Sequence, residues 1–174
     1  EKPWISNYSA KVPIEIDCNL YKSVVSLLEE TFNKYADKTA FICVGRSISF
    51  KELEIKSNHF AAFLQSKGLK KGDKIALMMP NLLQYPIALF GSLKAGLIVV
   101  NTNPLYTPRE MEHQFKDSEA KAIVICENFA ANLQKIINKT SIKTVITASI
   151  GELLGFPKSL IVNFMVRKVK KMVP

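Results

Sequence analysis

The chain has no apolar run of the ~18–20 residues that a helix needs to cross a bilayer. Its most apolar windows, Ile75–Met79 and Leu97–Val100, are only as long as strands. No signal segment, in which a charged stretch precedes an apolar stretch and then small residues, opens the sequence. We therefore expect a cytoplasmic protein.

Cysteine and histidine are scarce. Cys18, Cys43 and Cys126 are widely spaced without a CxxC pair, so we expect reduced thiols and neither a disulfide framework nor a zinc site. Cys43 and Cys126 lie in strand-like runs, where cysteine is typically a small core residue. With only His59 and His113 available, a histidine-based metal site or triad is not expected.

A phosphate-binding loop is also missing. GxGxxG does not occur, and Gly91–Gly96 has the glycine spacing of a Walker loop but is followed by Leu97-Ile98 instead of Lys-Ser/Thr. We interpret these glycines as helix packing and a helix end. Carboxylate pairs such as Glu110 and Glu112 lie at helix starts, where acids favour the helix dipole. The sequence therefore predicts no catalytic residue and no metal site in this chain.

Acidic residues are absent after Glu152, which makes the end of the chain basic. More than half of the net charge of +9 comes from five later cations, Lys158, Arg167, Lys168, Lys170 and Lys171. Elsewhere the composition is that of a globular protein, with 48% hydrophobic and 22% charged residues. A length of 174 residues suits one domain with a real core.

Strand and helix signals alternate between residues 24 and 147. The inner strands are unbroken apolar runs, as in sheets that are covered on both faces. We therefore predict an α/β fold with a mostly parallel sheet and helices on both faces. No linker rich in Gly, Pro or Ser divides it. The predicted organisation is an extended arm over 1–22, an α/β subdomain over 23–148 and a basic amphipathic helical tail over 149–174.

Several helix boundaries carry capping signals. The stretches Ser49–Glu52 and Thr107–Glu110 both have capping-box form, the second with proline at the first helical position. Asn81 is predicted to cap a buried helix over Leu83–Ala95. A further helix is predicted over Phe129–Ile137.

The loop Asn101–Thr107 is the first candidate site. It follows a predicted buried strand and precedes a capped helix, the position at which open α/β sheets bind ligands. Its asparagine and threonine side chains offer hydrogen bonds, and Tyr106 offers an aromatic face. A well-capped strand-to-helix connection explains the same residues equally well, so both interpretations stay open.

The tail from Lys158 to Val173 is the second candidate site. At 100° per residue, one face is apolar and the cations group on the other. This pattern indicates contact with anionic lipid, while nucleic acid is not expected without interleaved aromatic residues. The candidate membrane-contact residues are Arg167, Lys168, Lys170 and Lys171, and the apolar face comprises Ile161, Val162, Met165, Val166, Val169, Met172 and Val173. The alternative is a helix whose apolar face covers a neighbouring part of the protein.

Three stretches carry a family resemblance: SFKELEIKSNHFAAFLQSKGLKKGDKIALMMPN, LLQYPIALFGSLKAG and VVNTNPLYTPREMEHQFKDS. They contain an F-x-E-L helix start, a Lys-Gly-Asp turn, a Met-Pro-Asn strand exit and an Asn-Pro loop before a capped helix. The chain resembles the N-terminal part of the bacterial long-chain fatty-acid–CoA ligases, in the adenylate-forming superfamily. The Leu-Tyr-Thr-Pro-Arg-Glu run points to the long-chain ligases within it.

The resemblance implies an acid–thiol ligase. Such an enzyme uses ATP and Mg²⁺ to convert a fatty acid into an acyl-adenylate with release of pyrophosphate, and the thiol of coenzyme A (CoA) then displaces AMP. The family's phosphate loop, nucleotide-binding motifs and catalytic lysine have no counterpart here. We therefore expect this chain alone to be inactive and to bind none of these cofactors tightly.

The resemblance also implies a passage for CoA. In related synthetases the loop that corresponds to Asn101–Tyr106 lies beside the pantetheine tunnel, and the helix that corresponds to Phe129–Ile137 supplies basic contacts to the CoA nucleotide. The residues carried over are Asn101, Thr102, Asn103, Pro104, Tyr106 and Lys135. This helix has no arginine, which departs from the family pattern.

Two other functions stay open at this point. One is another adenylate-forming ligase, acting on aryl or other acyl acids. The other is a non-enzymatic α/β module that binds a membrane surface or a partner. A sheet that is incomplete would leave apolar surface exposed, so we also expect self-association. The expected location is the cytoplasm, with peripheral contact to the inner face of the membrane.

Overall fold

The computed structural model describes residues 2–173, so Glu1 and Pro174, the outermost residues of the predicted arm and tail, lie outside it. The helices are α1 (Val24–Lys34), α2 (Phe50–Ser66), α3 (Gln84–Lys94), α4 (Pro108–Ser118), α5 (Ala130–Gln134) and α6 (Lys158–Phe164). The strands are β1 (Thr39–Cys43), β2 (Arg46–Ser49), β3 (Lys74–Met78), β4 (Ile98–Asn101), β5 (Ala122–Cys126) and β6 (Thr144–Ala148).

Four strands form one parallel sheet in the order β4-β3-β5-β6. In β3, Ile75 and Leu77 pack on one face while Ala76 and Met78 pack on the other, as the two-residue period of a strand requires. Every residue of β5 is buried. The predicted mostly parallel sheet is confirmed.

Helices cover both faces of this sheet, as predicted. On one face α2 and α3 bury Leu64 and Ala88 against β3 and β5. On the other face α4 and α5 contribute Met111, Phe115 and Leu133 to a second core. The candidate loop after β4 leads into this second face.

A separate antiparallel hairpin precedes the sheet. β1 and β2 pair through a turn at Val44 and Gly45, both with positive φ, which suits the twist of a two-residue hairpin. The hairpin packs with α1, α2 and α3 around Phe32, Ile48 and Leu53.

The two predicted capping boxes differ. At α4 the Glu110 backbone N–H donates to the Thr107 hydroxyl while the Thr107 N–H donates to the Glu110 carboxylate, so that box is confirmed. At α2 only the Ser49 half forms. The Glu52 carboxylate instead accepts from Arg46 at 3.3 Å, because the hairpin brings this cation beside it.

Two predictions about α3 and β4 are wrong. Asn81 does not cap α3, which begins at Gln84 without a side-chain cap, because a tight turn from Pro80 to Leu82 precedes it. The strand β4 is not buried along its length, because it forms one edge of the sheet in the described residues.

The predicted helix over Phe129–Ile137 is shorter than expected. α5 has five residues and is flanked by 3₁₀ turns at Glu127–Phe129 and Ile137–Lys139. Ile136 turns into the core of the second face, so packing of the 3₁₀ and turn segment after α5 takes the place of a further helical turn. This places Lys135 just after the helix.

The arm and the tail flank the α/β unit. Residues 2–22 contain a 3₁₀ turn at Pro3–Asn7 and have exposed side chains apart from the half-buried Ile5. In the tail, α6 continues into a π turn over Met165–Val169. Among residues 2–173, no helix is both long and apolar enough to span a membrane. The proposed boundaries at 22/23 and 148/149 stay predictions.

Candidate functional site

The first half of the candidate loop is held by hydrogen bonds to neighbouring helices and to β3. The Tyr85 hydroxyl donates to Asn101 Oδ1 at 2.8 Å, and the Gln114 amide donates to the Asn101 carbonyl oxygen at 3.2 Å. Thr102 is buried, and its backbone N–H donates to the Leu77 carbonyl oxygen at 3.0 Å. Asn101 and Thr102 therefore shape the loop.

The second half of the loop presents more surface. Asn103 Oδ1 accepts from the backbone N–H of Leu105 at 2.9 Å, forming an Asx turn that brings the chain toward α4. Pro104 is half-buried, and Leu105 is 81% exposed at the tip. Leu105 was not among the predicted site residues. An apolar residue between the Asn-Pro turn and the helix start was the signal that could have identified it.

Tyr106 and α5 lie on the same face of the sheet. The Tyr106 ring packs against the core that contains Leu133 and Ile136, on either side of Lys135 in the sequence. Lys135 itself is exposed. The loop and the end of α5, which hold two predicted residues 29 positions apart, therefore lie on the same face of the sheet.

A shallow groove of about 790 Å³ runs along α4 from Tyr106. It includes Arg109, which was not among the predicted site residues, and His113, for which no metal or triad role was expected. Both are exposed. Arg109 is the second residue of α4, which packs on α5 through Met111 and Phe115. The Thr-Pro-Arg-Glu run predicted a helix start and carried part of the family resemblance, but it predicted no role for the arginine itself.

Two carboxylates near the groove are engaged in structural contacts. The backbone N–H and then the hydroxyl of Thr107 hold the pKa of Glu110 below its ordinary value by hydrogen bonding to the charged form. Lys116 and then Lys139 do the same for the pKa of Glu112. Both remain ionised at neutral pH, so neither is suited to general acid–base work.

The described residues do not fit the remaining chemistry of an ATP-dependent ligase. Among residues 2–173, no three His, Cys, Asp or Glu side chains cluster closely enough to hold a metal ion. Gly91, in the Walker-like spacing, packs inside α3 against Phe60 and Ser57. Burial raises the pKa of the Cys126 thiol, which therefore stays protonated and unreactive.

The four predicted membrane-contact residues separate into two groups. Arg167 lies against Glu127, with guanidinium-to-carboxylate distances of 2.7 to 3.1 Å, and this pairing raises its pKa. Lys168, Lys170 and Lys171 are exposed. The tail also lines one side of a polar pocket of about 330 Å³ at the carboxyl ends of β5 and β6.

The fold and this arrangement correspond to a known class of protein. A family model described as AMP-binding enzyme matches residues 28–170, so the chain belongs to the AMP-binding enzyme family. It is 53% identical to the long-chain-fatty-acid–CoA ligase of Salmonella typhimurium and 54% identical to that of Yersinia pestis. Each alignment covers 100% of this chain and 31% of the relative, so the chain spans about a third of their length.

Solved structures of the same fold include aryl and acyl ligases. The anthranilate CoA ligase AuaEII aligns with a TM-score of 0.70 at 24% identity, over 74% of this chain and 25% of that one. A benzoate CoA ligase from Burkholderia xenovorans LB400 aligns with a TM-score of 0.67 at 27% identity, over 71% and 25%. A long-chain-fatty-acid-CoA ligase from Archaeoglobus fulgidus gives 0.68 at 23%, over 87% and 32%.

Proposed function

We propose that the chain is the N-terminal portion of an ATP-dependent long-chain fatty-acid–CoA ligase. The observation that carries this proposal is the identity of 53% to long-chain ligases over the full chain, including both the arm and the tail. The whole enzyme converts a fatty acid, ATP and CoA into acyl-CoA, AMP and pyrophosphate through an acyl-adenylate. It uses Mg²⁺ with ATP.

In this proposal the chain contributes scaffold and part of the CoA passage. Tyr106 and Leu105 offer apolar surface to the pantetheine arm, while Lys135 and Arg109 offer charge to the CoA phosphates. Asn101, Thr102, Asn103 and Pro104 keep the loop in shape. We assign the adenylation chemistry to the remainder of the polypeptide, because the family's phosphate loop and catalytic lysine have no counterpart in this sequence.

The test of the activity uses the longer polypeptide of which this chain is the first part. We expect AMP release with CoA and fatty acids, increasing with acyl length, and little with benzoate or anthranilate. A preference for the aryl acids would identify a different adenylate-forming ligase. If no acid gives AMP release, the function is that of the non-enzymatic binding module. The 174-residue chain alone is expected to show no micromolar affinity for ATP–Mg²⁺ in calorimetric titration.

The CoA passage has its own test in the same enzyme. We expect Lys135→Ala and Arg109→Ala each to raise the KM for CoA about fivefold, roughly 1 kcal/mol for a solvated contact between charge and phosphate. Adenylation, followed by pyrophosphate exchange before CoA enters, is expected to stay unchanged. Lys143→Ala, at another exposed lysine, is the matched control. An unchanged KM for CoA in both variants would show that these cations do not contact CoA.

A ligase for long acyl chains must collect a poorly soluble substrate, and the tail is basic. The proposed function therefore includes a cytoplasmic enzyme in peripheral contact with an anionic membrane.

A further inference from the structure

The tail helix is oriented with its polar groups toward the protein. Asn163 accepts from the backbone N–H of Gly151 at 2.8 Å and donates to the Ser149 hydroxyl at 3.2 Å. Lys158 donates to the Val44 carbonyl oxygen at 2.6 Å. A surface helix usually does the opposite and turns its apolar side inward.

Two further contacts fix the same orientation at the end of the tail. Arg167 pairs with the mostly buried Glu127 side chain, and the Asn128 amide donates to the Met172 carbonyl oxygen at 3.1 Å. Val166 is the buried apolar residue on this inner side. The helix is therefore anchored along its whole length and cannot rotate its outer side inward without breaking these contacts.

The outer side is apolar at the start of the helix. Phe156 is 85% exposed just before α6, and Leu160, Ile161 and Phe164 are 62%, 59% and 60% exposed within it. Leu160 and Phe164 lie one turn apart on the same side. The predicted apolar face did not include Leu160 and Phe164. Two of its members, the half-buried Val162 and the buried Val166, turn toward the protein.

The exposed surface of the tail becomes basic at its far end. Lys168, Lys170 and Lys171 follow the apolar turn, are exposed, and form no ion pair within residues 2–173. An exposed surface that is apolar at one end and cationic at the other matches the boundary between the acyl chains and the anionic headgroups of a bilayer. Nothing in this arrangement offers the aromatic platforms of a nucleic-acid surface.

We propose that the outward side of α6 and its π turn is an anionic-membrane docking surface, in which Leu160, Ile161 and Phe164 enter the interface and Lys168, Lys170 and Lys171 contact lipid phosphates. The inference rests on the proposed function, which supplies the reason for membrane contact. It removes Arg167 from the lipid-facing set, because the Glu127 carboxylate already holds it.

The test measures binding to vesicles of phosphatidylglycerol with phosphatidylcholine and to vesicles of phosphatidylcholine alone. We expect the protein to co-sediment with the anionic vesicles only. Reversal of Lys168, Lys170 and Lys171 to Glu is expected to weaken binding by about a hundredfold or more, at roughly fivefold for each lysine near an anionic surface. The matched control reverses Lys22, Lys51 and Lys143, which changes the net charge equally at other exposed positions.

The apolar contribution is tested with Leu160→Ser/Phe164→Ser. This variant keeps all charges, and we expect it to lose the part of the binding that persists at high salt, because salt screens the lysines and leaves apolar insertion intact. Leu27→Ser/Ile55→Ser, two exposed residues elsewhere, is the control. Thermal unfolding of every variant verifies that the fold is kept, since all four positions are exposed.

The possible outcomes separate this inference from the proposed activity. Equal weakening of vesicle binding by both triple lysine variants would mean that only net charge matters, and it would overturn the docking surface. Unaltered vesicle binding in the α6 variants would overturn it as well. Self-association that disappears with Leu160→Ser/Phe164→Ser would make a second copy the partner and would also overturn it. In the longer enzyme, the α6 variants are expected to keep activity on a short, soluble fatty acid and lose it on acid held in vesicles. Inactivity of the parent enzyme on every acid rejects the proposed function alone.

Discussion

At the scale of single residues, most polar side chains of the candidate loop have structural partners. Asn101, Asn103 and Thr107 each accept or donate a hydrogen bond that shapes the connection between β4 and α4. What remains accessible to a ligand is the exposed Leu105, the half-buried Tyr106 and nearby cations. The binding properties of the loop therefore depend on side chains that make no hydrogen bond within it.

The first residue-scale prediction concerns the Thr107–Glu110 capping box. Thr107→Ala removes the N-cap oxygen of α4 and is expected to lower the free energy of unfolding by about 1 kcal/mol, the usual cost of losing such a cap. Chemical denaturation at neutral pH measures this. Ser66→Ala, whose hydroxyl bonds only one carbonyl at the end of α2, is the control and is expected to change little.

The pH dependence of the same box gives a second prediction. Because the pKa of Glu110 is below its usual 4.5 in the folded chain, its contribution is present above that value and is lost as the pH falls through the lowered pKa. The difference in unfolding free energy between the parent and Glu110→Gln should therefore shrink below pH 4.5. A difference that stays constant down to the acid limit would rule out the charged carboxylate as the stabilising species.

At the scale of elements, the position of a strand within the sheet determines how deeply its side chains are buried. β5 has neighbours on both edges and helices on both faces, so every residue of it is buried. β4 is an edge strand in the described part of the chain, and Ile98 is 52% exposed there. The two strands have similar sequences and different environments.

This contrast predicts unequal effects of the same substitution. Ile123→Ala in β5, where the side chain is 0% exposed, is expected to cost about 2–5 kcal/mol of unfolding free energy. Ile98→Ala in β4 is expected to cost less than about 1 kcal/mol, since little apolar surface is buried there. Urea denaturation of both variants compares them directly. Equal costs would mean that β4 is covered in solution, by another copy of the chain or by another segment.

At the scale of the whole molecule, this chain has an apolar surface without a partner. A groove of about 410 Å³ lies between α2, α3 and the edge strand β6, with Phe60, Phe63, Ile87 and Ile146 in its lining. Val145 is exposed on β6 itself. The relatives are about three times as long as this chain. Such a surface is expected to bury itself against more polypeptide or against a second copy.

The chain alone is therefore predicted to self-associate as its concentration rises. Sedimentation velocity over a concentration series measures this, and Val145→Lys is expected to shift the equilibrium toward monomer by placing a charge at the open edge of β6. Leu27→Lys, at a similarly exposed apolar position on α1, is expected to leave the association unchanged. A monomer at every concentration would show that the groove and the edge need no partner.

The sequence by itself determined several of the local elements and the family. Thr107-Pro108 with Glu110 encodes a helix start through contacts within one turn, and the apolar runs of β3 and β5 encode buried strands, so both could be predicted. The three stretches that carry the resemblance also sufficed to identify the AMP-binding family. These signals are local, and tertiary packing reinforces them.

Only the tertiary structure determined which distant residues are in contact. Three features depend on contacts between residues far apart in the chain. They are the edge position of β4, the packing of Tyr106 on the core that contains Leu133, and the ion pair between Arg167 and Glu127. The orientation of α6 depends on them too. A helical wheel shows which residues share a face, but the partners of Asn163 and Lys158 determine which face turns inward. Those partners lie 12 and 114 residues away, beyond any local pattern.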